Sequence, residues 1–136
     1  MATESSPPPA RVNTSIAPWL TVPDGPSALD FYKAAFGAIE RYRLEDERGR
    51  VVVAQLLIDQ ADFWFSEDSD ATSASGPVRM LLTVDDPRSV FSQALAAGAT
   101  EIAPIDESFG WLVGRLADPF GHHWEVGKPL EGASSS

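Results

Sequence analysis

A short pattern occurs twice in this chain, and it limits the possible folds more than any other feature. Leu20-Thr21-Val22 returns as Leu82-Thr83-Val84, at an offset of 62. At the same offset Ser27-Ala28-Leu29 matches Ser89-Val90-Phe91, and Ala34-Ala35 matches Ala96-Ala97. Gly37 and Gly98 follow within one residue of that register. Chance supplies a three-residue match easily. It rarely supplies the match, a helix start and a glycine stop together.

Each copy reads as strand, helix and three strands. In the first, Ile16 to Val22 is a strand; Pro18 places it at an edge or a strand start, because proline has no N–H to donate. Asp24-Gly25-Pro26-Ser27 opens a helix, with Pro26 in its first turn and Ser27 with Asp30 as a capping box. Leu29, Phe31, Tyr32, Ala35 and Phe36 form an apolar stripe of helical period, and Gly37 stops it. Ala38 to Leu44 is a second strand, Glu45 to Arg50 a charged hairpin loop, Val51 to Ile58 a third strand and Ala61 to Ser66 a fourth. Glu67 to Pro77, rich in Ser, Asp and Gly, reads as a linker.

The second copy runs from Arg79. Asp86 and Pro87 open its helix, Val90, Phe91, Ala94, Leu95 and Ala97 form its stripe, and Gly98 ends it. Ala99 to Ile105 is a strand and Asp106-Glu107 an acidic loop. The final hairpin pairs Trp111 to Ala117 with His122 to Val126 around the turn Asp118-Pro119-Phe120-Gly121. Pro119 presets φ at the turn's second position and Gly121 tolerates positive φ. Alternation sends Trp124 and Val126 to the core face and His123 and Glu125 to the other. His122 reads as a turn residue bonded to backbone near Asp118. Gly110 and Gly114 relieve crowding around Trp111 on the strand.

The expected fold class is therefore α+β: two tandem βαβββ modules, about 16–67 and 78–129, forming an open, cleft-lining eight-stranded barrel-like sheet. The domain spans 14–130. Residues 1–13, with Pro7-Pro8-Pro9, and residues 131–136 read as disordered tails. Each sheet buries one face under its helix and leaves the other free to line a cleft.

Composition narrows the function classes. The chain has 136 residues, the size of one domain, and a net charge of −10. That charge repels a phosphate backbone, so no nucleic-acid partner is expected. No apolar run approaches the ~20 residues that span a membrane, and no signal peptide is visible. Cysteine is absent, which excludes disulfide and thiolate chemistry and fits a cytoplasmic location.

On these residues the chain resembles the vicinal oxygen chelate superfamily, which includes glyoxalase I, bleomycin-resistance proteins, extradiol dioxygenases and fosfomycin-resistance enzymes. The marks are Leu-Thr-Val with Asp24, the helix Ala28-Leu29-Asp30-Phe31-Tyr32-Lys33-Ala34-Ala35-Phe36-Gly37, and Asp118-Pro119-Phe120-Gly121-His122-His123-Trp124-Glu125. The resemblance covers about Ile16 to Pro129. It implies a homodimer, and in metal-using members four cleft positions supply His, Glu or Gln ligands. Those positions fall here on Ala17, Trp64, Arg79 and Glu125. One ligand of four remains, so no metal is expected; a metal-dependent member would hold its divalent cation at Glu125.

Among the candidate site residues, Arg79 is expected to pair with Glu125 where the metal's charge would sit, or to form a purely structural ion pair with it. His123 and Glu125, two apart on one face, are candidate general bases. Trp19, Gln55, Trp64 and Trp111 alternate onto cleft-side positions, where flat rings suit a planar or cationic ligand; core or dimer-interface roles are the alternative. Three functions remain open: a metal-free protein binding a small aromatic or cationic molecule in the inter-module cleft; a metal-dependent lyase, isomerase or dioxygenase of the glyoxalase type; and a metal-free enzyme using Glu125 or His123 as base beside Arg79.

Overall fold

The computed structural model describes residues 15–70 and 79–130. The expected tails, 1–13 and 131–136, and most of the expected linker lie outside the described residues. Ten elements follow the expected order: β1 (Trp19–Val22), α1 (Gly25–Phe36), β2 (Ile39–Glu45), β3 (Val51–Ile58), β4 (Ala61–Glu67), β5 (Met80–Thr83), α2 (Pro87–Ala96), β6 (Thr100–Ser108), β7 (Trp111–Ala117) and β8 (His123–Pro129). The architecture is α+β, with two tandem βαβββ modules.

The eight strands divide into two four-stranded sheets, ordered β1-β4-β3-β2 and β5-β8-β7-β6. In each, the module's first strand runs parallel to its last, and the other pairs are antiparallel. In each module the helix carries the chain from the first strand to the far edge of the sheet, and the following three strands return antiparallel until the last lies parallel to the first.

Local chemistry explains most of the boundaries. Asp24 caps α1 by accepting the Ser27 N–H at 3.1 Å, and Gly37 closes it in the left-handed region at φ 67°. The cap is thus Asp24 and not a Ser27–Asp30 box; Ser27 contributes its backbone N–H. Asp86 repeats this for α2, accepting from Ser89 N–H at 3.2 Å. β1 begins at Trp19, later than expected, because Pro18 has no N–H for the ladder; its carbonyl still accepts from Trp64 N–H at 2.9 Å.

The expected loop at Asp106-Glu107 is strand. β6 stays paired with β7 as far as Ser108 opposite Trp111, and Phe109 and Gly110, both at positive φ (51° and 81°), make a two-residue turn. On an edge strand acidic side chains remain solvated, so ladder pairing outweighs their turn preference. Gly110 accordingly sits in the turn and not on the strand. At Gly114 an added Cβ would lie 2.9 Å from Ile105 N and 3.0 Å from the Ala103 carbonyl, which accounts for the glycine by crowding.

The helix-side faces of both sheets meet in one aromatic core. Trp124 of the second sheet packs on Phe36 of α1 at 4.7 Å and on Phe63 of the first sheet at 5.4 Å, and Phe120 packs on Phe31. Helices α1 and α2 touch, with Gln93 donating to the Ala34 carbonyl at 2.9 Å. The opposite face of each sheet is left uncovered.

Candidate functional site

Strand register assembles one row of side chains on each uncovered face. Across the first sheet the row is Trp19, Trp64, Gln55 and Tyr42. Across the second it is Leu81, Glu125, Arg115 and Ala103. Trp19 and Leu81 are partners in the repeat, so Trp64 is the counterpart of Glu125, as the sequence pattern had placed it.

The first row is an aromatic platform. The Trp19 and Trp64 rings stack at 5.2 Å and 5° between planes, and Tyr42 lies 5.8 Å from Trp64. Trp19 Nε1 donates to Ser66 Oγ and Gln55 Nε2 donates to Asp62 Oδ2, both at 2.9 Å. These bonds fix the rings and the amide without covering them; Trp19 stays 55% exposed.

The second row carries the charge. Glu125 Oε2 pairs with Arg79 Nε and accepts from Arg115 Nη2 at 3.0 Å. Arg79 stands one residue before β5, and Arg115 lies opposite Glu125 on β7. Burial pushes the Glu125 carboxyl up, but the hydrogen bonds and charges of Arg115 and Arg79 outweigh it and hold the group below its ordinary value. A carboxylate so stabilised is a poor proton acceptor, which counts against Glu125 as a general base. The triad is also more open than a buried pair, with the Arg79 side chain 50% exposed.

A cleft of about 850 Å³ opens on this face; Arg79, Leu81, Trp111, Arg115 and Glu125 line it, with Asp106 and Glu107. Of the residues expected to line a cleft, Arg79 and Trp111 therefore join Glu125 here. Trp19, Gln55 and Trp64 stand together on the other sheet. His123 is half-buried at the start of β8, opposite Ala117, and is not part of the cleft lining. His122 does hold the turn, its N–H bonded to Asp118 Oδ1 at 2.9 Å, while its ring Nε2 lies 2.9 Å from the Thr21 carbonyl in the first module.

The residues present do not fit a divalent metal. Among the described residues no three His, Asp or Glu side chains cluster as ligands. At the ligand positions, Ala17 and Trp64 offer no suitable donor, Arg79 is a cation, and Glu125 is already engaged by two guanidiniums.

Arg115 and Tyr42 were not anticipated. Arg115 was legible only as to its face: it lies four residues from Trp111 on β7 and so shares that side, but counting outward from the Asp118–Gly121 turn sets it against Trp124, and it is the observed pairing of Ala117 with His123 that brings it to Glu125. Tyr42 was hidden by a bulge between Glu40 and Tyr42 that shifts the parity of β2.

Comparison with known proteins finds the same fold. Residues 19–127 match the Glyoxalase-like domain family. The uncharacterized protein Mb0911c of Mycobacterium bovis is 38% identical over 131 residues, covering 88% of this chain and 86% of its own. The crystal structure of the Arabidopsis thaliana At5g48480 product superposes with a TM-score of 0.65 at 26% identity, over 86% of this chain and 100% of that one. The fosfomycin resistance protein FosX of Listeria monocytogenes shares the fold, with a TM-score of 0.71 at 14% identity over 90% of this chain and 98% of its own.

Proposed function

From the premise that this chain belongs to the Glyoxalase-like domain family, within the vicinal oxygen chelate superfamily, we propose that it binds a small aromatic molecule without a metal ion. One observation carries this reading. Glu125, the acid at the family's ligand position, is held by Arg79 and Arg115, and its counterpart on the first sheet is Trp64. The chemistry that a metal would supply is replaced by a paired charge on one sheet and a flat aromatic surface on the other. The sequence left an aromatic or a cationic ligand open. Two guanidiniums around one carboxylate favour the aromatic one.

The protein acts as a homodimer in this proposal. Among the described residues the exposed large apolar side chains, apart from Ile16, are Trp19, Ile39, Tyr42, Leu44, Leu81, Ile102 and Phe109. They stand on the uncovered faces of the two sheets or on the cleft wall. Apolar surface gathered in this way is surface that a partner covers. A second copy laid face to face would set the aromatic platform of one protomer over the cleft of the other. The cysteine-free composition fits a cytoplasmic setting, and no helix among the described residues is long and apolar enough to cross a membrane.

The test is elemental analysis of protein purified without chelator, together with tryptophan-fluorescence titration of small aromatic compounds. Saturable quenching with substoichiometric metal is expected. Stoichiometric Zn, Ni, Mn or Fe, released by chelator with loss of a turnover, would replace the proposal with a metal-dependent enzyme. Sedimentation velocity is expected to give twice the mass of the 14.6 kDa chain.

A further inference from the structure

Resting on the small-molecule reading above, we infer that the cleft of the second sheet is a carboxylate subsite, in which Arg79 and Arg115 together bind the acid group of an aromatic ligand. Glu125 serves as their internal counter-ion.

The charge balance comes first. Two guanidiniums meet one carboxylate, and both do so through the same oxygen, Glu125 Oε2. Within this set of three side chains one positive charge is left over. Each guanidinium has five N–H donors, and among the described residues Arg79 and Arg115 both engage Glu125. The remaining donors are the forked, planar kind that match a carboxylate bidentately. Both arginine side chains are accessible, Arg115 at 34% and Arg79 at 50%.

The walls supply the rest of the recognition. Leu81, Ile102, Phe109 and Trp111 line the same cleft. Phe109 is fully exposed and holds a positive φ of 51°, in a turn position that favours glycine or asparagine. Folding stability alone does not favour an unburied phenylalanine there; contact with an aromatic ligand gives the ring a surface to cover. A cationic ligand fits this end of the cleft less well, since it would have to displace two arginines from Glu125.

Asp106 and Glu107 line the cleft as well, and the whole chain carries a net charge of −10. These repel an anion entering the cleft; they stand on the edge strand β6, where water weakens the repulsion, whereas the guanidiniums act at contact. Both acids lie on β6, and Asp106 stands opposite Val113, two residues along β7 from Arg115. They disfavour a second acid group at that end of the ligand, so a monoanion is selected.

The experiment is calorimetric titration of the full chain with 2-naphthoate and with 2-naphthamide, which share one ring system and differ in charge. The naphthoate is expected to bind about tenfold tighter, the effect of one charge-assisted contact. In Arg115→Gln that preference is expected to fall to about twofold or less, because the surplus charge is gone. In Glu125→Gln naphthoate binding is expected to tighten, since the counter-ion no longer competes. Arg115→Lys, which keeps the charge but not the fork, is expected to retain part of the preference if Arg115→Gln folds poorly. Equal binding of acid and amide by the unaltered protein would overturn the carboxylate subsite and leave the aromatic-binding reading standing. Weaker naphthoate binding in Glu125→Gln would also overturn it. Failure of both compounds to bind would remove the subsite together with the reading beneath it.

Discussion

The hydroxyl of Tyr32, on the helix of the first module, donates a 2.6 Å hydrogen bond to Oδ2 of Asp118, in the last turn of the second. Asp118 is 4% exposed and is, among the described residues, the buried charged residue of the core. Trp124 Nε1 donates to the same oxygen at 3.0 Å, and the N–H groups of Phe120 and His122 donate to Oδ1 at 3.0 and 2.9 Å. Four donors thus satisfy one carboxylate, and they come from both modules. The network orients the turn that leads into β8 and so helps to set where Glu125 emerges.

Tyr32→Phe tests this link. The ring still fills its place among Phe63, Phe65 and Trp124, but Asp118 loses one donor in a dry site. The expected cost is about 1–3 kcal/mol, read as a lowered urea midpoint with an unchanged slope. Asp118→Asn is expected to cost more, because one of its oxygens becomes an NH₂ group facing existing donors.

Alkaline pH probes the same contact. Burial first, then the charge of Asp118 and the hydrogen bond to it, raise the Tyr32 phenol well above its ordinary value. The unfolded phenol ionises near 10. Below that pH both states hold the proton and the contribution is fully present. Above it the unfolded chain releases the proton while the folded chain keeps it, so stability falls by about 1.4 kcal/mol per pH unit from this group. Tyr32→Phe is expected to remove that part of the slope in unfolding curves collected above pH 10.

Acid pH probes the cleft. The Glu125 carboxyl titrates below its ordinary value of 4.5 when folded, so its stabilising contribution is present above that value and is lost as the pH falls through the lowered one. The groups are partly solvated, which limits the effect. Glu125→Gln is expected to cost about 1 kcal/mol at neutral pH, with the gap from the unaltered protein closing toward pH 3. Thermal unfolding across that range checks it.

Gly25→Ala tests the joint between α1 and β3. A Cβ at this position would lie 2.1 Å from the Val51 carbonyl oxygen, which is backbone and cannot swing away. The Gly25 N–H also donates to Glu67 Oε1 at 2.8 Å, a bond that any shift of the helix start would stretch. A loss of about 1–3 kcal/mol is expected in chemical unfolding.

Much of this was open to a reader of the residues alone. Element order, both helix caps in outline and the inward set of each strand follow from short-range rules: hydrophobic period, glycine stops, proline at helix starts. The repeat made them mutually consistent, and strand alternation placed Glu125 opposite Trp124. The errors were also local. Asp106 and Glu107 looked like a loop because polarity was read where pairing decides, and Tyr42 lost its face to a bulge.

What the residues determined by themselves was therefore the inventory: two βαβββ units, and an acid on the uncovered face of the last strand. The tertiary structure decided the company each residue keeps. It set Arg115 beside Arg79 on one carboxylate oxygen, stacked Trp19 on Trp64 on a different sheet from Trp111, and buried Asp118 against a tyrosine 86 positions away. The reason is physical. Periodicity reports which face a side chain takes, because that depends on the chain's own geometry. Neighbours across strands and modules depend on register and packing, which no local pattern encodes.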